Sequence, residues 1–281
     1  MEASFALEPG WLILLVAALA LTGVISGLMA GLLGLGGGLV IVPVLYHVFT
    51  LMNVDAAVRM HMAVGTSLAC IVPTALSSAR AHHHRGSLDP GLLWALSPGV
   101  ALGVIAAAVT TRYLSGSALS VIFGVVALLV ASHMIIGRRE IPLGIGLPTR
   151  WPNRLALGGV IGGLSTLMGI GGGTLSVPLL RACGTPMRRA VGTASAIGVV
   201  IAVPGAAGFM LSGLGIPDRP PLSLGYVSVA GFACIIPMGL ATAPLGAGMA
   251  HRVNATRLRQ IFALFLAATA VRVLGTSLGA W

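Results

Sequence analysis

The sequence predicts an all-α polytopic membrane protein of about eight transmembrane helices, arranged in two repeats that each open with a glycine-rich broken helix. Three observations lead there. Of 281 residues, 57% are hydrophobic and only 8% charged, against about 25% charged in a soluble domain. Mean hydropathy is +1.01. The stretch "GLLGLGGGLVIVPVL", Gly31 to Leu45, returns as "TLMGIGGGTLSVPLL", Thr166 to Leu180. Lipid must be the solvent for this much apolar surface, which argues against a water-soluble enzyme.

The charges divide the chain into countable spans. A membrane helix needs about 20 apolar residues. Uncharged or nearly uncharged runs extend from Trp11 to Tyr46, Met60 to Ala79, Pro90 to Thr111, Tyr113 to Gly137, Leu155 to Leu180, Ala190 to Pro217, Pro220 to Ala250 and Gln260 to Trp281. Arg272 interrupts the last, near enough to its end to snorkel. The first ten residues hold Glu2 and Glu8 and no basic residue, so no cleavable signal is expected and the first run is read as retained. That run is 36 residues, about 54 Å as one helix, against a hydrocarbon core of about 30 Å. Its glycines mark the place to break.

The two glycine motifs align at an offset of 135: Gly36-Gly37-Gly38 falls on Gly171-Gly172-Gly173, and Pro43 on Pro178. A second pair follows at an offset of 127, "MAVGTSLA" at Met62–Ala69 and "RAVGTASA" at Arg189–Ala196. The chain therefore reads as a single membrane domain: repeat one over 11–137, a linker over 138–153 rich in Pro, Gly and Arg, and repeat two over 154–281. Duplication of this kind is common in secondary transporters. Four crossings per repeat make the repeats parallel. Broken helices that enter and leave on one side make them inverted, and both arrangements stay open.

All 16 basic residues are Arg, giving a formal charge of +10. They stand singly or in pairs between spans, as orientation signals and headgroup anchors do. With no basic run interleaved with aromatics, nucleic acid is not a partner; membrane lipid is. Eight spans place seven arginines at one end and eight at the other, which is no bias. The acids before the first span and Arg59 after it favour an outside N-terminus.

A break inside lipid strands backbone N–H and C=O groups and is tolerated only under protein or beside a wet cavity. Where the second half-helix starts, its free N–H groups and positive dipole end form an anion site. Gly36, Gly37 and Gly38, and Gly171, Gly172, Gly173 and Thr174, are the candidate holders of a small anion. Pro43 and Pro178 lie several residues into the second half-helices, near the first turn. The hydroxyls of Thr66, Ser67, Thr193 and Ser195 could complete the shell, or bond back to their own helices. Close helix packing is the competing use for the glycines. His61 is the candidate for proton coupling. His82-His83-His84 reads as a headgroup-contacting loop, since Arg85 would repel a metal. Cys70, Cys183 and Cys234 have no CxxC partner and read as small apolar residues. No metal, no organic cofactor and no enzymatic constellation is expected. Asp and Glu are absent from span interiors, which favours an anionic substrate over a cation or a carboxylic proton relay.

These motifs resemble the TauE/SafE sulfite-exporter family, also called the 4-toluene sulfonate uptake permeases. The resemblance covers nearly the whole chain. It rests on "GLMAGLLGLGGGLVIVPVL", "AVGTSLA", "HHHRGSLD", "GGLSTLMGIGGGTLSVPLL" and "AVGTASA". It implies a seven- or eight-helix permease of the bacterial-type cytoplasmic (inner) membrane, moving sulfite or an organosulfonate, with proton coupling the usual supposition. The second half departs at Ala194, where the first has Ser67, which puts a symmetric two-hydroxyl site in doubt. A carboxylate, or a cation held by half-helix carbonyls, is the alternative cargo. Oligomeric state is open, a homodimer among the options.

Overall fold

The computed structural model describes residues 9–33, 37–136, 146–217, 219–249 and 255–277. Residues 138–145 of the expected linker, and Gly36, lie outside them. Ten helices are described: α1 (Pro9–Leu33), α2 (Gly38–Leu51), α3 (Ala56–His84), α4 (Pro90–Thr111), α5 (Gly116–Ile136), α6 (Trp151–Leu167), α7 (Gly173–Ala182), α8 (Met187–Ser212), α9 (Val229–Met249) and α10 (Ala255–Ser277). Seven are long and apolar enough to cross a membrane; α6, with 17 residues, is shorter. The chain is an all-α polytopic membrane protein. One feature was not expected: a two-residue antiparallel hairpin, β1 (Ser223–Leu224) with β2 (Val227–Ser228), occupies the start of the seventh predicted span.

Local chemistry places the ends. Asp55 caps α3 by accepting the Ala57 N–H, and Asp89 caps α4 by accepting that of Leu92, with Pro90 at the first helical position. Gly37 and Gly169 adopt φ of +71° and +65°, the left-handed region where a side chain is strained, so the chain leaves α1 and α6 at the two predicted breaks. Gly38 and Gly173 open the next helices, as their triplets suggest. Pro43 and Pro178 are each the sixth residue of their helix. They sit in the second turn rather than the first, where each removes one intrahelical bond.

Packing fixes the helix directions. The central pair, α3 and α8, is antiparallel: Gly65 lies against Phe209, Leu68 against Gly205, and Ala75 against Gly198. The flanking pairs are parallel and close through small residues four apart. In α1 and α9, Gly23 meets Ile235 and Gly27 meets Gly239; in α4 and α6, Gly99 meets Leu155 and Gly103 meets Gly159. The other helices turn large side chains outward, among them Leu102, Leu129, Val160 and Leu264, which suits a lipid-facing ring around α3 and α8.

Gly37 lies against Ser26, and Gly38 against Ile71 of α3. Thus α2 runs back toward the end where α1 began, and α7 likewise reverses on α6, with Gly172 against Gly198 of the antiparallel α8. This corrects the count of arginines. A reversing half-helix does not cross, so the loops between the two reversals change end and those after the second keep the ends that eight crossings gave. Arg80, Arg85, Arg150, Arg154, Arg181, Arg188 and Arg189, with Arg257 and Arg259 at the start of α10, share one end of the bundle. Arg59, Arg112, Arg219 and Arg272 lie toward the other. Among the described residues the division is nine against four, not the near-equality that eight crossings gave.

Candidate functional site

The two breaks meet at the centre of the bundle and differ. The first is packed over: a Cβ on Gly38 would come within 2.6 Å of the Gly169 carbonyl oxygen and 2.7 Å of Ile71 Cδ1. Ser67 Oγ donates to that same Gly169 oxygen at 2.7 Å, tying α3 to the turn between α6 and α7. The Ile170 N–H closes the turn on the Ser165 carbonyl at 2.9 Å. Ser67 is therefore a brace for the second break.

The second break faces a pocket. Its walls are Ala30 of α1, Ile71, Thr74 and Ser78 of α3, the Gly171-Gly172-Gly173 turn, and Ala194, Ser195 and Gly198 of α8. Two of its hydroxyls are already committed to their own helices: Ser195 Oγ donates to the Gly192 carbonyl at 2.7 Å, and Thr74 Oγ1 bonds back to Cys70 and Ile71. The donors left for a ligand are the Ser78 hydroxyl and backbone N–H groups at the start of α7, which have no carbonyl a turn earlier in their helix. Thr174, on the first turn of α7, is buried, and neither its hydroxyl nor that of Ser176 has a partner among the described residues. Among the described residues, no acidic side chain lines the pocket. An N-terminal dipole end, free N–H groups and no competing carboxylate together favour a small anion.

Of the predicted site residues, Gly171, Gly172, Gly173 and Ser195 come together here, with Thr174 adjoining. Gly37, Gly38, Pro43 and Pro178 belong to the half-helix scaffold. Thr74, Ser78 and Gly198 were not anticipated. The signal for the first two was available: Ser67, Ile71, Thr74 and Ser78 follow one another at spacings of four, three and four, which puts them on one helix face.

A family model described as "Sulfite exporter TauE/SafE" matches residues 19–273. The chain belongs to the TauE/SafE sulfite exporter family. Its relatives include a "Probable membrane transporter protein" of Haemophilus influenzae, 32% identical over 254 residues, covering 90% of this chain and 96% of the relative. The "Probable membrane transporter protein YunE" of Bacillus subtilis is 31% identical over 215 residues, covering 69% of this chain and 78% of the relative. The archaeal "Probable membrane transporter protein MJ0441" of Methanocaldococcus jannaschii is 29% identical over 203 residues, covering 67% of this chain and 69% of the relative. No solved structure matches. The chain is accordingly a membrane transporter of the TauE/SafE family.

In this TauE/SafE chain the paired "AVGT" motifs do something the sequence did not suggest. Thr66 and Thr193 do not line the pocket. Thr66 Oγ1 accepts the Ser228 N–H at 2.9 Å, and Thr193 Oγ1 accepts the Asp89 N–H at 3.1 Å. The preceding glycines make room: a Cβ on Gly65 would meet the Tyr226 carbonyl oxygen at 2.5 Å, and one on Gly192 would fall on that of Ser87. Ser228 and Asp89 are themselves helix caps, accepting the N–H groups of Gly231 and Leu92 at 3.1 Å each. Each motif thus clasps the loop that starts α9 or α4.

His61 belongs to the Thr66 clasp and not to the pocket. It is 1% exposed, stacks on Tyr226 with ring centroids 4.8 Å apart, and neither ring nitrogen has a hydrogen-bond partner among the described residues.

Proposed function

We propose that this chain is a secondary transporter that carries a small anion, sulfite or an organosulfonate, by alternating access around the second glycine break. The observation that carries this reading is the pocket at the start of α7, where backbone N–H groups are available as donors and no carboxylate stands among the described lining residues. An oxyanion takes several N–H bonds at once and gains from the dipole end. Tight glycine turns let it reach the backbone.

The helix directions support the mechanism. Helices α1 to α5 and α6 to α10 occur in the same order, and α3 and α8 run oppositely. We read them as inverted repeats, the first over 11–137 and the second over 154–281. An inverted pair can exchange conformations, so that a site open to one side in one state opens to the other in its mirror state. The basic end, nine arginines to four, is the cytoplasmic end by the positive-inside rule, which puts the start of α1 outside; the cytoplasmic (inner) membrane is the one the family resemblance implies. Ser78 and Ser195 lie nearer that basic end of their helices, so the pocket sits on the cytoplasmic side of the bundle. The chain works as a carrier and not as an enzyme. His61, at the outer clasp, is the candidate for proton coupling through gate movement and not through contact with the anion.

The test is uptake of labelled sulfite by purified protein in proteoliposomes, with competition by organosulfonates, carboxylates and small cations. Saturable uptake blocked by sulfonates is expected. Competition by carboxylates alone would reassign the cargo, and uptake of cations with no anion effect would overturn the anion reading.

A further inference from the structure

We propose that the two "AVGT" clasps are the two gates of the transport path, one at each end of the α3–α8 pair. The inference rests on the transport reading above and deepens it. At the basic end, Gly192 and Thr193 of α8 hold the Ser87–Asp89 loop that follows α3. At the opposite end, Gly65 and Thr66 of α3 hold the Tyr226–Ser228 loop that follows α8. Since α3 and α8 are the facing walls of the pocket, each clasp stops these walls from parting at its own end. Thr193 adjoins the wall residues Ala194 and Ser195, so releasing Asp89 frees the inner mouth. Releasing Ser228 lets the helices part toward the outer end, which the anion must reach to cross.

Each clasp can open and re-form. It consists of one neutral hydrogen bond to a threonine, backed by a carbonyl resting on a glycine, with a helix cap that stays intact in either state. Such a bond is a small increment when made, and its loss is offset where water reaches the freed N–H. The two gates differ in charge. At the inner gate, Arg189 pairs with Asp89 at 3.7 Å, and Arg188 donates to the Arg85 carbonyl at 2.9 Å. Arg189 is 62% exposed, so salt screens this pair. At the outer gate the His61–Tyr226 stack takes the corresponding place. The inner gate therefore loosens with ionic strength and the outer one does not.

The measurement is the labelling rate of Ser78→Cys by a membrane-impermeant maleimide, in vesicles of each orientation, with Cys183 and Cys234 changed to Ser. Thr193→Val keeps the shape and removes the acceptor; labelling from the basic side rises several-fold. Thr66→Val raises labelling from the opposite side several-fold. Thr→Ser at either position keeps the wild-type rate. Arg189→Gln, at an exposed position that leaves folding intact, raises labelling from the basic side only and removes its salt dependence. Rates unchanged in the Val variants, or in Arg189→Gln where a Val variant does not assemble, would overturn the proposal. Labelling needs no substrate, so the two readings fail separately. Clasp-dependent labelling without uptake of any anion would sink the cargo assignment and keep the gates. Sulfite uptake with clasp-independent labelling would sink the gates alone.

Discussion

Gly169→Ala is expected to destabilise the fold by about 2–5 kcal/mol, the sum of left-handed backbone strain and overpacking. Gly169 has φ +65°, and a Cβ there would approach Val42 Cγ2 at 2.8 Å and Val64 Cα at 2.9 Å. Neither neighbour can yield easily: Val42 is fully buried in α2, and the other contact is the backbone of α3. The Gly169 carbonyl that Ser67 holds would move with it. Gly184→Ala is the control, since Gly184 has φ +85° with nothing within 4 Å of a new Cβ; it carries only the strain, about 1–2 kcal/mol. Thermal unfolding in detergent separates them. Equal losses would mean that the second break is not wedged between α2 and α3.

The orientation makes a second, all-or-none expectation. Tyr113 is 81% exposed in the short connection between α4 and α5, at the arginine-poor end. His84 is exposed at the end of α3, at the arginine-rich one. In intact cells, with Cys183 and Cys234 changed to Ser, Tyr113→Cys should react with an impermeant maleimide, and His84→Cys should react only after permeabilisation. The physical basis is the retention of Arg-rich loops on the cytoplasmic side. Labelling in the reverse pattern would put the basic end, and the pocket near it, outside.

How far the sequence carries can be seen at particular residues. The helix starts at Gly38 and Gly173 were readable because a glycine triplet inside an apolar run is a local signal, and it occurs twice. The number of membrane helices was nearly readable for the same reason. The reversal of α2 and α7 was not. Nothing in "GGGLVIVPVL" states whether the chain continues across or turns back, because that is decided by the packing of Gly37 on Ser26 and Gly38 on Ile71. One unreadable turn in each half was enough to hide the arginine asymmetry.

Thr66 and Thr193 stand beside the breaks in sequence but spend their hydroxyls on distant loops. The groups they bind lie 162 and 104 residues away in the chain, beyond any spacing rule. Their glycine neighbours, read as part of a repeated motif, serve the approach of a loop carbonyl. Conversely, the choice between anion site and close packing for the glycine triplets was posed as a single alternative. The two copies divide it: Gly38 packs, while Gly171 to Gly173 line a pocket. Gly172 does both, since a Cβ there would meet Gly198 N at 2.8 Å and the Ala194 carbonyl at 3.0 Å. Its replacement would report on packing as well as on the anion, so it is a poor probe of function.

Gly198 is the better probe. A Cβ there meets only ordinary contacts, 3.5 Å from Gly172 N and 3.6 Å from Ala75 Cβ, so Gly198→Ala should fold. The added methyl stands where an oxyanion would approach the Gly172 N–H. Sulfite uptake by Gly198→Ala, normalised to folded protein in proteoliposomes, should fall about tenfold or more, the loss of one charge-assisted hydrogen bond. Undiminished uptake in that variant would contradict the placement of the anion at the second glycine break.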